Sequence, residues 1–177
     1  MRIDIYMQIK SILEARHSRE DAIAIKDAII KNPALVDDLM ECFFSKSIRL
    51  CQRASWAVLF VGLEAPDTLR PYLSKMVDHL PTALHDAQIR NTVRIFEEIE
   101  IPEELEGPLF EHCFGYLLDS KYATAIRAFS LTVLEKIANK HPDLKSELRD
   151  EIAVQLDTGT VGFKNRAKKT LIRLQKA

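Results

Sequence analysis

The sequence predicts an all-α fold made of about five antiparallel helix pairs that stack on one another. Glycine and proline are scarce, with five and seven residues in a chain of 177, which favours long helices with short connections. Apolar residues recur at the three- and four-residue spacing of helices through most of the chain. Four arginines, Arg53, Arg90, Arg127 and Arg166, follow one another at intervals of 37, 37 and 39 residues. Such intervals indicate a repeated two-helix unit.

The first helix pair has a clear start signal between its two helices. Ile5, Ile9 and Leu13 lie at helical spacing and predict a first helix over residues 3–15. Ser18 then stands three residues before Asp21 and ahead of a new apolar run. This pattern predicts that the Ser18 hydroxyl caps the second helix of the pair.

Each later pair begins at a proline, because the proline ring and its missing N–H are tolerated in a first turn but not in a helix interior. The prolines that mark these starts are Pro33, Pro66, Pro102 and Pro142. The predicted helices cover residues 34–44 and 48–63, 69–80 and 85–99, 109–118 and 122–138, and 144–156 and 163–175. We also expect a short acidic turn over residues 103–108 and a break at residues 158–160.

The helix over residues 48–63 is predicted to be the central buried helix. From Trp56 to Leu63 nearly every residue is apolar, so this part needs cover on more than one side. We therefore expect Trp56 to pack in the core. Arg49 and Arg53, at the other end of the helix, are expected to be the part that faces a partner.

The second helices of the later pairs have a recurring pattern. Residues 126–134, IRAFSLTVL, and residues 164–171, KNRAKKTL, resemble the second-helix signature of the HEAT and armadillo family of α-solenoids. The resemblance covers nearly the whole chain and implies a right-handed α-α superhelix in a single domain over residues 1–177. The implied repeats are residues 1–32, 33–65, 66–101, 102–141 and 142–177. The first pair lacks the arginine, since residues 27–31 read DAIIK, which indicates a capping repeat.

Chains of this size and pattern also resemble short bacterial proteins that are filed under the name adenylosuccinate lyase. Such lyases need a mobile loop that carries a serine, and catalytic histidines, in a much longer chain. Residues 158–165, TGTVGFKN, are only superficially similar to that loop. Lyase activity is therefore not expected.

Charged residues are segregated along a chain whose net charge is only −1. Residues 101–120 contain five acids and no Lys or Arg, whereas residues 161–177 contain six bases and no acid. In stacked helix pairs the second helices usually line the concave face, so their basic residues are the candidates for a basic stripe along that face. The candidates are Arg49, Arg53, Arg90, Arg94, Arg127, Arg166 and Lys169.

Two interpretations of this stripe are open. In the first, it binds an anionic partner such as an acidic peptide or a phosphate backbone. In the second, each arginine bonds the acid or the carbonyl groups of the turn before it, as the positions of Asp86 before Arg90 and Asp119 before Arg127 would allow.

The sequence contains no combination of residues typical of a catalytic, metal or nucleotide site. The glycines stand apart from one another, no serine lies in G-x-S-x-G, and no histidines pair as H-E-x-x-H. Glu111, His112 and Cys113 are adjacent, so on a helix their side chains point in different directions. Cys42, Cys51 and Cys113 lie in apolar helical patterns without C-x-x-C spacing and are expected to be buried, reduced thiols. No cofactor or metal is expected.

Targeting signals are also lacking in the sequence as it stands. Residues 1–6 include an early acid and no apolar core of signal-peptide length. The longest apolar run, residues 56–63, is far shorter than the roughly 20 residues that cross a membrane. We expect a cytoplasmic protein that does not bind membranes.

Three functions are compatible with these observations. The expected one is a non-enzymatic interaction module or scaffold that holds a peptide or protein partner on the concave, second-helix face. The alternative is a nucleic-acid-binding protein that uses the basic stripe, although the balanced charge argues against it. A small-molecule enzyme is the least expected. Charge reversal at Arg90 or Arg127 is expected to abolish partner recovery and to leave the helical content unchanged, and Arg53→Glu tests the same surface.

Overall fold

The computed structural model describes the backbone of residues 2–176 and the side chains of residues 9–157 and 159–175. Across residues 2–176 it contains ten α-helices and no strand, which confirms the predicted all-α fold. The helices are α1 (Arg2–Ala15), α2 (Arg19–Lys31), α3 (Val36–Phe43), α4 (Ile48–Glu64), α5 (Leu73–His79), α6 (Asp86–Glu98), α7 (Glu103–Leu118), α8 (Thr124–Lys140), α9 (Lys145–Thr158) and α10 (Val161–Lys176). Short 3₁₀ segments lie at Pro33–Leu35, Pro66–Tyr72, Leu80–Thr82 and Pro142–Leu144.

The chain divides into two compact units, Met1–Ile99 and Glu100–Ala177. We refer to them as unit 1 and unit 2. In unit 1, α4 packs against α2, α3 and α6, and α1 packs against α3 and α4. In unit 2, α8 packs against α7 and α10, and α9 contacts α7, α8 and α10. The prediction of one domain over residues 1–177 stays a prediction.

The starts of the helices follow the signals in the sequence. The Ser18 hydroxyl accepts a hydrogen bond from the Asp21 N–H at 3.0 Å, which confirms the predicted cap of α2. The Ser47 hydroxyl caps α4 in the same way, by accepting from the Leu50 N–H at 3.4 Å. Both bonds satisfy N–H groups that have no partner inside the helix.

Two predicted helix boundaries are wrong. The helix predicted over residues 69–80 is an α-helix only at Leu73–His79, because Pro71 lies in the preceding 3₁₀ segment and cannot supply an interior N–H. The acidic turn predicted over residues 103–108 is the first part of α7. Gly107 and Pro108 are accommodated there because Pro108 removes only one hydrogen bond, near the start of a 16-residue helix.

Buried amide side chains attach α6 to its neighbours in unit 1. The Gln88 Nε2 group donates to the Phe43 carbonyl at 2.9 Å, while its Oε1 atom accepts from the Leu84 N–H at 3.0 Å. The Asn91 Nδ2 group donates to the Ser55 carbonyl of α4 at 3.0 Å. These bonds satisfy buried polar groups and set the position of α6 along α4.

The expectation that the whole apolar end of α4 is core is wrong. Ala57 and Val58 are fully buried, but Trp56 and Phe60 are only half-buried and Leu63 is 42% exposed. The reason is that the helices of unit 1 fully cover the side of α4 that carries Ala57 and Val58, and only partly cover the side that carries Trp56. One face of α4 is therefore a surface that combines aromatic and apolar side chains.

The contact between α4 and α6 requires a small residue at position 62. A Cβ atom added at Gly62 would lie 2.8 Å from Ile95 Cγ1 and 2.9 Å from Ile95 Cδ1, inside van der Waals contact. We expect Gly62→Ala to lower the free energy of unfolding by about 1–3 kcal/mol, because the buried Ile95 side chain must shift in a filled core. Urea unfolding followed by far-UV circular dichroism measures this change.

Gly115 is the matched control for this substitution. It also lies inside an α-helix, but a Cβ added there meets no atom within 4 Å. Gly115→Ala is therefore expected to raise the free energy of unfolding by about 0.5–1 kcal/mol through helix propensity alone. Equal stabilisation by both substitutions would show that Ile95 is free to move and that the close packing at Gly62 has no energetic weight.

No helix within residues 2–176 is both long enough and apolar enough to cross a membrane.

Candidate partner-binding surface

The partly covered face of α4 carries a set of side chains that we call the α4 surface. Counted from Arg49, the other four members lie 4, 7, 11 and 14 residues further along the chain, which is the spacing of one face of an α-helix. Each of them is half-buried or exposed. The α4 surface consists of Arg49, Arg53, Trp56, Phe60 and Leu63.

The aromatic part of this surface is built around the only tryptophan of the sequence. The Trp56 ring lies edge-on to the His17 ring, with 5.2 Å between centroids, and 6.0 Å from the Phe60 ring. The Arg19 guanidinium lies 5.8 Å from the centroid of Phe60. The two rings are therefore held in place by residues of the α1–α2 connection and the start of α2, while part of each ring remains open to solvent.

Arg53 has a structural contact at this site. Its Nη1 atom donates to the Leu13 carbonyl at 2.7 Å and to the Glu14 carbonyl at 3.0 Å. These carbonyls belong to the last turn of α1, where no helical N–H follows to bond them. Arg53→Glu would therefore remove this contact as well as reverse a surface charge, so it does not separate binding from stability.

Arg49 and Arg90 are exposed and make no ion pair among the side chains that the structure describes. Among the described residues, Arg90 makes one polar contact, a long bond of 3.4 Å to the side chain of Asn91, next to it on α6. Since Asn91 also bonds Ser55, the Arg90 position is adjacent to α4. Arg94, one turn further, is half-buried and pairs with Glu97, and with Glu98 at 3.0 Å.

The remaining basic candidates lie in unit 2, and the structure gives each a different environment. Arg127 is only 5% exposed, and it donates to the Leu117 carbonyl at 3.0 and 3.2 Å. Arg166 is half-buried and donates to the Thr132 hydroxyl at 2.6 Å. Lys169 is exposed. A continuous basic stripe through all seven candidates stays a prediction.

A buried carboxylate in unit 2 is a site that the sequence analysis missed. Glu106 is 4% exposed, and it accepts from Lys140 Nζ at 2.6 Å and bonds His141 Nε2 at 2.7 Å. The hydrogen bonds from Lys140 and His141 lower the pKa of Glu106, and the bond to Glu106 raises the pKa of Lys140. These contacts join the first part of α7 to the end of α8.

The sequence did contain a signal for the burial of Glu106. This residue precedes Leu109, Cys113 and Leu117 at intervals of three, seven and eleven residues, and all three are buried. A helix that begins at Glu103 places Glu106 on the same face as these buried residues. A cavity of about 430 Å³ lies beside it, with Phe110, Ile137 and Leu144 among its lining residues.

The cysteines have the surroundings of core residues. Cys42, Cys51 and Cys113 are all buried, as the sequence predicts. Burial raises the pKa of the Cys42 and Cys113 thiols to about 12, so these thiols are protonated near neutral pH. Among the described side chains, no three His, Cys, Asp or Glu residues are placed to hold a metal ion together.

Comparison with known protein families gives one result. A family model described as a HEAT repeat domain matches residues 9–173, which is most of the chain. No curated protein and no solved structure matches the sequence.

Proposed function

Because the chain belongs to the HEAT repeat family, we propose that it is a non-enzymatic scaffold that binds a protein partner on the second-helix side of unit 1, centred on the α4 surface. Repeat folds of stacked helix pairs provide extended surfaces for partners. The observation that supports the proposal is the half-buried pair Trp56 and Phe60 on α4, with the exposed Arg49 on the same helix face and the exposed Arg90 on α6, the helix that packs against α4.

The composition of this surface fits a binding role. Tryptophan and arginine are enriched among the few residues that contribute most of the free energy of binding at protein interfaces. Contacts with His17 and Arg19 already order the two rings, so a partner would lose little conformational entropy in fixing them. Arg49 and Arg90 can pair with carboxylates of a partner without first breaking an ion pair of the described protein.

Affinity capture from native lysate tests this proposal. We expect the wild-type chain to enrich a partner, and Trp56→Ala and Arg90→Glu each to reduce the recovered amount at least tenfold with an unchanged far-UV circular dichroism spectrum. Arg90 is exposed, so its reversal is expected to cost less than about 0.5 kcal/mol of stability.

Arg70→Glu is the matched control. Arg70 is also an exposed arginine of unit 1, but it lies in the 3₁₀ segment Pro66–Tyr72 and pairs with Asp67 at 2.9 Å. Recovery with this variant should equal that of the wild type. Equal recovery with Arg90→Glu and Trp56→Ala would refute binding at the α4 surface, and a wild-type chain that enriches no protein would refute the scaffold proposal.

A gel-shift titration with duplex and single-stranded DNA or RNA separates this proposal from nucleic-acid binding. Contacts with phosphates release counterions, so such binding would weaken steeply as salt rises. We expect no shift at low salt. A shift that Arg49→Glu and Arg90→Glu remove would replace the protein partner with a nucleic acid.

A further inference from the structure

We propose that unit 2 binds a small organic amine, with the protonated amino group at Glu103 and the apolar body in the cavity beside Glu106. This cavity, which has a volume of about 430 Å³, lies between the first part of α7 and the end of α8, and we call it the α7–α8 cavity. All of its lining residues belong to unit 2, and none belongs to the α4 surface. The inference therefore goes beyond the proposed function and does not depend on it.

The apolar wall of the α7–α8 cavity is made by side chains from three segments. Phe110 comes from α7, Ile137 from α8 and Leu144 from the 3₁₀ segment Pro142–Leu144. The Phe110 ring is half-buried and stacks on the Phe114 ring, with 5.6 Å between their centroids. Cavities that bind small molecules usually have volumes of about 300–1,000 Å³ and mainly apolar walls. The α7–α8 cavity therefore has the size and the wall of a small-molecule site.

Gly107 keeps one side of this cavity open. It lies inside α7, where a glycine weakens the helix, and a Cβ atom added there meets no atom within 4 Å. Among the described residues, no neighbour therefore approaches so closely that it requires a glycine at this position. The missing side chain leaves room for a ligand beside the Phe110 ring.

The polar lining of the cavity, among the residues that the structure describes, consists of two carboxylates and one imidazole. These groups belong to Glu103, Glu106 and His141. Glu106 is bonded on both of its oxygens, to Lys140 Nζ at 2.6 Å and to His141 Nε2 at 2.7 Å. Glu103 is exposed and forms no ion pair among the described side chains. Glu103 is therefore the carboxylate that remains available to a cation.

The charged groups of this cavity and of two smaller ones beside it leave an excess of negative charge. Lys140 offsets the charge of Glu106, and Glu100 and Lys136 have opposite charges. With a neutral imidazole, the charge of Glu103 remains uncompensated. The bond to Glu106, and then the fields of Glu100 and Glu103, raise the pKa of Lys140. A ligand cation is therefore attracted to this region, whereas an anion is repelled by Glu103.

These surroundings favour an ammonium group that is joined to an apolar ring or chain. The Glu103 carboxylate can accept charge-assisted hydrogen bonds from the ammonium group. Aromatic rings such as that of Phe110 also attract cations to their faces. A carboxylate ligand of the same shape would bring a second negative charge to Glu103, and a neutral alcohol would lack the ion pair. We therefore expect the cavity to select the cation among molecules of one shape.

Titration with three probes tests this selectivity. The probes are phenylbutylamine, phenylbutanoate and phenylbutanol, each with the ring at the end of the chain, so they share an apolar body and differ in charge. The full chain, labelled with nitrogen-15, is titrated at pH 8, where a primary amine is protonated and free histidine is neutral. We expect the amine to cause saturable shifts in the amide resonances of Phe110, Ile137 and His141. It should bind at least fivefold more tightly than the carboxylate.

Two pairs of variants identify the groups that bind the amine. Gly107→Leu places a side chain at the cavity and should weaken binding of all three probes at least tenfold, whereas Gly115→Leu, at the other open glycine of α7, should leave binding unchanged. Glu103→Gln should weaken binding of the amine at least threefold and leave binding of the alcohol unchanged. Glu104→Gln is the matched control, because Glu104 is an exposed acid in the same turn that does not line the cavity.

Far-UV circular dichroism checks that each variant keeps the helical content of the wild type. Equal affinity for the amine and the carboxylate would overturn the proposal, and so would tighter binding of the carboxylate. Binding of the amine that survives Gly107→Leu would place the ligand elsewhere and would also overturn it. The absence of saturable shifts up to the solubility limit of the amine would show that the cavity is not a site for this class of ligand.

Discussion

Replacing Arg127 with alanine is expected to lower the free energy of unfolding by about 3 kcal/mol, the largest effect expected of any arginine in the series. Its guanidinium donates to the Leu117 carbonyl and to Gln155 Oε1, the latter at 2.8 Å. It also lies 4.5 Å from the centroid of the Phe163 ring. The substitution leaves the Leu117 carbonyl without this donor and opens space beside a fully buried phenylalanine.

The measurement is urea unfolding followed by far-UV circular dichroism, since Trp56 belongs to unit 1 and does not report on unit 2 directly. Arg90→Ala is the control, because Arg90 is exposed, and it should change stability by no more than about 0.5 kcal/mol. Arg127→Lys keeps the charge but lacks the planar fork, so we expect it to recover less than half of the loss. An Arg127→Ala protein as stable as Arg90→Ala would contradict this account.

Charge reversal at Arg127 is expected to affect folding as well as surface charge. Burial lowers the pKa of Arg127, yet its ordinary value is high enough that the group stays charged near neutral pH. Arg127→Glu would place a carboxylate against the Leu117 carbonyl and is expected to reduce helical content. Charge reversal at Arg127, unlike that at Arg90, therefore cannot test partner binding in a folded protein.

Replacing Glu106 with glutamine is expected to lower the free energy of unfolding by about 2 kcal/mol at pH 7. The carboxylate is buried and bonds Lys140 and His141, and a neutral amide cannot accept charge-assisted bonds of the same strength. This expected loss of stability is smaller than that for a fully buried ion pair, because the side chains of Lys140 and His141 are both 47% exposed.

The pH dependence gives this prediction a second readout. The bonds from Lys140 and His141 lower the pKa of Glu106 in the folded state, so its contribution is present above the pKa of an unfolded glutamate, about 4.3. The contribution is lost as the pH falls through the folded pKa of Glu106. The stability difference between wild type and Glu106→Gln should therefore be present at pH 7 and shrink as the pH falls below about 4.3.

Urea midpoints at pH 7, 5.5 and 3 measure this difference, again by circular dichroism. Glu104→Gln is the matched control, since Glu104 is an exposed acid in the first turn of the same helix. Removing the charge of Glu104 should lower the free energy of unfolding by no more than about 0.5 kcal/mol at pH 7, because this charge interacts mainly with the helix dipole. A Glu106→Gln loss that is as large at pH 3 as at pH 7 would show that packing, and not the charge of Glu106, is responsible.

Most of the helix order could be predicted from the sequence because the signals are local. Ser18 is followed by Asp21 at capping distance, and Pro33 and Pro142 each stand in a 3₁₀ segment at the start of a new pair. The helix predicted over residues 69–80 is too long because the apolar spacing continues across Pro71, where an α-helix cannot form its regular hydrogen bonds.

The environment of the central helix could not be predicted in the same way. Residues 56–63 are apolar on nearly every face, which predicts cover on all sides but does not say whether neighbouring helices provide it. In unit 1 they cover Val58 completely and Trp56 only in part. The candidate site on α4 exists because that face is only partly covered.

The four arginines separate what the local sequence determines from what the tertiary structure decides. By itself, the sequence determined the helix pairs and placed an arginine at the same point of four successive second helices, because helix formation and its period depend on residues close together in the chain. Only the tertiary structure decided what each arginine contacts. Arg53 bonds the end of α1, Arg127 bonds the end of α7 and Arg166 bonds Thr132 of α8, while Arg90 is exposed. The difference arises because the partner of each guanidinium lies on another helix, and its distance depends on where that helix ends and how closely it packs.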